Sequence, residues 1–413
     1  MKFIHLADLH LGKTLHGYSL IDQGDQTAWV DRFLEIAAEI RPDAVLIAGD
    51  VYDRSVPPRE AVDLLDKLLT RLSAMGIAVL LIAGNHDSGP RLNFASSLLE
   101  GQNVHISGNV QKNMRRVTLF DAFGPVHFYL MPYIFPAAVE EALGCEEMRT
   151  YDAAARALLE AQEIDIGERN VILAHQLVLC GKEQPEAGGS ETMVGGVGQI
   201  DVSAFDAFDY VALGHIHRAQ AMGRSSVRYA GSPLCYHFSE IGSEKGPLLI
   251  EMGRKGETID IKTITIEPVH PLREIRGELS QILDGEAFSD SQREYIRVVL
   301  TDKTVPAGAV ESLSALFRAK GSFLMEVARE QLHADAMDVS GAGEAAHERS
   351  IDELFTEFFT LRTGGDLPDG AEEELIRFAA DMTQRLADEA SADDIDSAAQ
   401  KILEFALKED MEA

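Results

Sequence analysis

The sequence predicts an α/β protein, and three observations carry that reading. Short apolar runs end abruptly in small and polar residues, helical patterns lie between several of them, and every run ends in an Asp, Asn or His. Within about the first 265 residues these phrases are FIHLADLH, AVLIAGDVYD, VLLIAGNHD, VILAHQ and YVALGHIH. Runs this short and this continuously apolar read as strands covered on both faces. Strands alternating with helices make an α/β architecture, whose ligands gather beyond the carboxyl ends of the strands.

The elements follow in order. FIHLADLH delivers Asp8 and His10. A helical pattern from Thr27 to Ile40 precedes AVLIAGDVYD, which ends in Gly49 and Asp50. A second, from Arg59 to Met75, stops at Gly76, a natural helix terminator. VLLIAGNHD then presents Asn85 and His86, VILAHQ presents His175, and YVALGHIH presents His215 and His217. After about residue 270 the texture changes. YIRVVLTD (295–302) and FLMEVARE (323–330) read as strands around a helix from Ala307 to Ala319, a small α+β domain. DVSGAGEAAHERS (338–350) reads as linker. Beyond it, Ile351, Leu354, Phe355, Phe358 and Phe359 recur at helical spacing, as do Leu375, Ile376, Ala379, Met382 and Leu386. These helices either pack on the protein's own body or dock a partner in a groove.

Composition narrows the class. A length of 413 residues allows two or three domains. The opening MKFIHLADLH lacks the apolar core and cleavage site of a signal peptide, and no run approaches the ~20 apolar residues that span a bilayer. Cys145, Cys180 and Cys235 form no CxxC pair, so a reducing cytoplasm is the expected setting. The net charge of −31 argues against strong unaided binding to nucleic acid, whose affinity comes from neutralised phosphates. The acid is concentrated at the end: residues 351–413 carry 18 acidic against 5 basic side chains.

Taken singly, each strand end has an ordinary reading: Asp50 can cap a helix, and Asn85-His86-Asp87 can be an Asx-type turn. Taken together they form a mixed oxygen and nitrogen donor set suited to divalent transition ions. Two ions ~3.5–4 Å apart can clamp the attacking and leaving oxygens of a phosphoryl displacement. Asp50 is the obvious shared carboxylate, and His-x-His at a strand end can serve adjacent ions with one nitrogen each.

The ordered set DxH, GDxxDR, GNHD, H and GHxH resembles the calcineurin-like metallophosphoesterase superfamily. ADLHLG, AGDVYDR followed by SVPP, AGNHDS, ALGHIHRAQ and RYAGSP resemble its break-repair nuclease branch, over essentially the whole chain. The resemblance implies a two-sheet sandwich flanked by helices at 1–268, a small α+β DNA-capping domain at 269–336, a linker at 337–350, and C-terminal helices at 351–413 that dock a partner. It implies two divalent ions, manganese first: one on Asp8, His10, Asp50 and His217, the other on Asp50, Asn85, His175 and His215. His86 is left to act as general acid on the leaving oxygen, with Asp53 orienting it and favouring its cation. Arg54 contacts a phosphate or is an exposed loop residue. The implied activity is phosphodiester hydrolysis of DNA: exonuclease on duplex ends, endonuclease on single strands and hairpins, in repair, recombination and replication. The implied partners are a coiled-coil ATPase, with two copies of each subunit, and a second copy of this chain through the nuclease domain. The implied location is the bacterial cytoplasm, at the nucleoid, with no membrane. No GxxxxGK[ST] occurs here, so ATP dependence must come from the partner. The alternative is a small-substrate phosphatase or cyclic-nucleotide phosphodiesterase using the same centre. A scaffold on a retired phosphoesterase would have lost ligands, and none is missing.

Overall fold

All five apolar runs are strands with almost no accessible face. Ala44–Ala48, Ala78–Ile82, Arg169–His175 and Tyr210–Gly214 are buried at every position, and Lys2–Leu6 at all but the first. The computed structural model describes residues 1–145, 148–189, 198–284, 293–302 and 308–329. The expected linker at 337–350 and the helices at 351–413 lie outside the described residues, which belong to the compact unit Met1–Glu330.

The strands divide between two six-stranded sheets. The first is ordered Asp260–Thr263, Leu248–Glu251, Lys2–Leu6, Ala44–Ala48, Ala78–Ile82, Val104–Ser107. The second is ordered Gln220–Met222, Arg224–Tyr229, Tyr210–Gly214, Arg169–His175, Gly124–Met131, Arg115–Asp121. The central pairings are parallel, and antiparallel strands finish every edge except Val104–Ser107, which pairs parallel. The core between the sheets includes Phe3, Leu46, Leu80, Phe128, Leu173 and Tyr210. Phe3 meets the rings of Phe128 and Tyr210 edge-on, each at 5.6 Å; truncating it to Ala would cost about 3–5 kcal/mol.

Helices Asp25–Ile40 and Arg59–Ala74 cover the outer face of the first sheet through Trp29, Phe33, Leu64 and Leu68. Pro136–Leu143 and Tyr151–Glu160 cover the second. This is the helix-flanked two-sheet sandwich expected. Beyond it, Leu272–Gly277, Tyr295–Leu300 and Phe323–Arg329 form a parallel three-stranded sheet. Leu313 and Phe317 of helix Ala309–Ala319 fill that sheet's own core. The helix expected from Ala307 begins at Ala309, behind Gly308, whose φ of +84° is not helical. Asp25 ties this sheet to the body, accepting from His270 N–H (3.1 Å) and from the Tyr295 hydroxyl (2.6 Å).

Candidate metal centre

Three strands of one sheet and two of the other end at one place. Past Leu6 the backbone ladder continues into the loops: Asp8 N–H donates to Gly49 O (3.1 Å), His10 N–H to Asp50 O (2.9 Å) and Leu11 N–H to Val51 O (2.9 Å). These bonds hold conformations that side chains disfavour. Asp8, His10, Asp50 and His215 have φ of 53°, 42°, 44° and 98°, and they are four of the eight non-glycine residues with positive φ among the described residues. Such backbones cost of order 1–3 kcal/mol each and persist where their surroundings over-determine them. Glycine is required where the two sheets touch. A Cβ on Gly49, itself at φ +85°, would lie 2.3 Å from His175 Nδ1, and one on Gly214 would lie 1.9 Å from Ala48 O.

All seven residues expected as ligands are brought together. Asp8, His10 and His217 have donor atoms within 4.8 Å of one another, as do Asp8, Asp50 and His175. A single oxygen, Asp50 Oδ2, lies 3.5 Å from His10 Nε2 and 3.3 Å from His175 Nε2. Asn85 Oδ1 lies 3.1 Å from His175 Nε2 and 3.2 Å from His215 Nδ1. Thus one group gathers around Asp8, His10 and His217, another around Asn85, His175 and His215, with Asp50 between them.

The donors suit cations. Asp8 Oδ2 is a buried carboxylate oxygen with no hydrogen-bond partner among the described residues. His10 Nε2 and His217 Nε2 face each other at 3.1 Å, an arrangement that a shared proton or a cation makes favourable. The outer nitrogens are turned away: His175 Nδ1–H donates to Ala48 O (2.8 Å), while His217 Nδ1 lies 3.7 Å from Glu240 Oε1 and His10 Nδ1 3.5 Å from Asp53 Oδ1. Carboxylates or carbonyls behind an imidazole are the usual support of a metal-ligating histidine.

Electrostatics points the same way. Burial pushes the Asp8 carboxyl up to about 6, Asp50 adds to this, and His175 and His217 oppose it. Burial also pushes His10 down to about 4, leaving its nitrogen a lone-pair donor at neutral pH. Burial works against the His175 cation, but Asp50 and Asp8 outweigh it and raise His175 to about 9. Burial would likewise raise Asp50; His175, His10 and His86 prevail and hold it well below the usual carboxylate range.

The expected pairing of Asp53 with His86 needs correction. The Asp53 carboxylate accepts from Lys13 Nζ (2.9 Å) and faces His10 Nδ1. Burial would raise it, but His10 and Lys13 hold it far below the ordinary carboxylate range. His86 meets Asp53 through its backbone instead, with His86 Nδ1 3.0 Å from Asp53 O, and its own N–H donates to Asp50 Oδ1 (2.9 Å). Its ring is exposed, 4.9 Å from that of His10, and its donor atoms also fall within 4.8 Å of those of His10 and Asp50. The Arg54 side chain is 65% accessible and among the described residues pairs with Asp53 alone, at 3.8 Å, so it is an exposed loop arginine.

Four supporting residues escaped the sequence reading. Asp87, the last letter of GNHD, accepts from the N–H groups of Val51 (3.0 Å), Tyr52 (2.9 Å) and Gly84 (2.9 Å), bolting the Asp50 turn to the Asn85 turn. Glu240 is fully buried behind His217 and accepts from Lys245 Nζ (2.5 Å). Lys245 also donates to His217 O (2.7 Å), as does Ser232 N–H (3.1 Å). Ser232 belongs to RYAGSP, which the sequence offered only as a mark of family resemblance and which the structure places against His217. Gly231 within it has φ +74°, and a Cβ there would lie 2.7 Å from His217 O.

Comparison with known proteins follows the same outline. A family model described as calcineurin-like phosphoesterase matches residues 1–219. A second, described as a type 5 capsule protein repressor C-terminal domain, matches residues 268–363. The chain is 30% identical over 308 residues to the SbcD subunit of the nuclease SbcCD from Staphylococcus epidermidis, covering 73% of this chain and 79% of that one. The crystal structure of a dimetal phosphatase from Danio rerio overlaps at 13% identity with a TM-score of 0.35, covering 64% of this chain and 95% of that chain.

Proposed function

Because the chain belongs to the calcineurin-like phosphoesterase family, as an SbcD-like nuclease, we propose that the residues gathered around Asp50 hydrolyse DNA phosphodiesters. The observation that carries this is the position of Asp50 Oδ2 between His10 and His175, beside Asp8 Oδ2, which has no hydrogen-bond partner among the described residues. Asp8, His10, Asp50 and His217 would hold one divalent ion; Asp50, Asn85, His175 and His215 would hold the other. Manganese suits this oxygen and nitrogen set. When bound, the ions supply Lewis acidity and an acidified water.

The chain's own residues do the rest. His86 donates a proton to the departing sugar oxygen. With Nδ1–H held by Asp53 O, its Nε2 is the nitrogen left to carry that proton. The Asp53 carboxylate acts one step back, fixing the ring of His10 together with Lys13.

Residues 1–268 form the nuclease body in this reading, and 269–336 cap the DNA, selecting its shape through backbone contacts. Residues 351–413, beyond the stretch 337–350, dock SbcC, the coiled-coil ATPase, in an assembly with two copies of each subunit. That assembly serves repair, recombination and replication in the cytoplasm, at the nucleoid. ATP enters through SbcC, and the partner and ions offset the charge of −31. A second copy of the chain joins through the nuclease body. Phe94 and Leu98, 82% and 80% exposed shortly after the Asn85 turn, supply an apolar contact for it. Among the described residues no helix is long and apolar enough to cross a membrane.

The test offers the purified chain manganese with a hairpin oligonucleotide, a simple diester and a monoester, with and without the ATPase. Cleavage of the hairpin and the diester supports the reading. Turnover confined to the monoester would replace it with the small-substrate alternative.

A further inference from the structure

On the Asn85 side of the cluster lies a cleft that a bare phosphodiester does not need. It encloses about 580 Å³, within the range of pockets that hold small organic ligands. Gly84 and Asn85 lie on one side, and Tyr133 and Phe135 supply aromatic lining. Tyr133 N–H donates to Ala83 O (2.9 Å), so this wall is stitched to the turn that presents Asn85. The Tyr133 ring sits 6.2 Å from that of His175 and 6.4 Å from that of His215. Phe135 meets Tyr133 edge-on at 4.8 Å and still leaves 49% of itself exposed.

The lining selects the kind of occupant. Its charged groups are Asp87 and Glu141, and no Lys or Arg lines it among the described residues. A phosphate backbone wants cations, so this cleft repels one. A neutral, flat, hydrogen-bonding group meets the opposite conditions: aromatic surface on Phe135 and amide groups on Asn85 and Asn109. Two glycines lie back to back in the same lining. A Cβ on Gly89 would fall 2.2 Å from Gly108 O, and one on Gly108 equally close to Gly89 O.

We propose that this cleft is a nucleobase subsite, in which Phe135, buttressed by Tyr133, stacks an unpaired base beside the scissile phosphate. The inference rests on the nuclease reading above and adds the group that the enzyme holds next to the phosphate. Only a base free of its partner strand can turn into the cleft, so the subsite favours loops, frayed ends and single strands over intact duplex.

The test pairs Phe135→Ala with abasic scanning. Base–aromatic stacking contributes about 1–3 kcal/mol per base, so Phe135→Ala should raise KM for a single-stranded oligonucleotide roughly 5- to 150-fold. Cleavage of a wholly abasic strand should be unchanged, and Phe135→Trp should restore the ordinary KM. In the parent, one abasic position beside the cleaved bond should raise KM by the same factor; in Phe135→Ala that position should become indifferent. Quenching of 2-aminopurine at that position, measured in EDTA, should vanish in Phe135→Ala independently of turnover. If ordinary and abasic strands have the same KM in the parent, or if Phe135→Ala slows both alike, the subsite is wrong. A chain that cleaves no strand at all removes the nuclease reading instead.

Discussion

Replacing Gly49 by alanine isolates what the close approach of the two sheets contributes to metal binding. Gly49 has φ +85°, and the new Cβ would lie 2.3 Å from His175 Nδ1, 2.6 Å from its Cγ and 2.8 Å from its Cβ. The ring cannot stay in place, because Nδ1 is also the atom bonded to Ala48 O at 2.8 Å. Gly76 is the control: its φ is +76°, and a Cβ there meets nothing within 4 Å. Both variants put alanine in a left-handed backbone, at about 1–2 kcal/mol. Only Gly49→Ala displaces His175, and losing the orientation of a ligand typically weakens metal affinity 10- to 100-fold, about 1.4–2.7 kcal/mol. Manganese titration calorimetry, with thermal unfolding to confirm folding, separates the two. Gly49→Ala is expected to lose more thermal stability than Gly76→Ala, since overpacking adds about 1–3 kcal/mol, and it alone is expected to weaken the metal site. Equal manganese affinity in the two variants would refute the claim that this glycine exists to seat His175.

Three further outcomes are expected. His86→Ala should keep manganese affinity within a few-fold while single-turnover hairpin cleavage falls about 10²–10⁴-fold; full activity would remove the proton-donor role. In metal-free protein His175, at about 9 against its usual 6.5, carries a proton at pH 7 that an ion must displace. Manganese affinity should therefore rise with pH toward 9, and calorimetry in buffers of different ionisation enthalpy should count about one released proton; buffer-independent heats contradict this. The same shift stabilises the metal-free fold below pH 6.5, and that contribution fades as pH rises through about 9. Finally, Phe94→Asp with Leu98→Asp should leave metal binding intact and yield a monomer by light scattering; an unchanged dimer would move the self-contact elsewhere.

The donors of the centre were legible in the sequence because parallel strands buried on both faces must stop abruptly, and an Asp, Asn or His at each stop is conspicuous. Asp8, Asp50, Asn85, His175 and His215 are all of this kind. The paired glycines were legible too, since Gly49 and Gly214 precede donors at two strand ends. Less readable were the antiparallel strands at the sheet edges, such as Arg115–Asp121, whose partly exposed pattern lacks the continuous apolar run. What faces a donor from behind was decided through space. Asp53 and His86 are near neighbours in the motif order, yet the carboxylate turns to Lys13 and His10, across 40 and 43 positions, because the Lys13 charge and the His10 N–H outweigh the cost of its burial. Glu240 reaches His217 only because Lys245 neutralises it in the interior. Residue order dictates which side chains stand at a strand's end; which second residue faces them depends on how the two sheets and their loops close together, and that is set by packing between segments far apart in the chain.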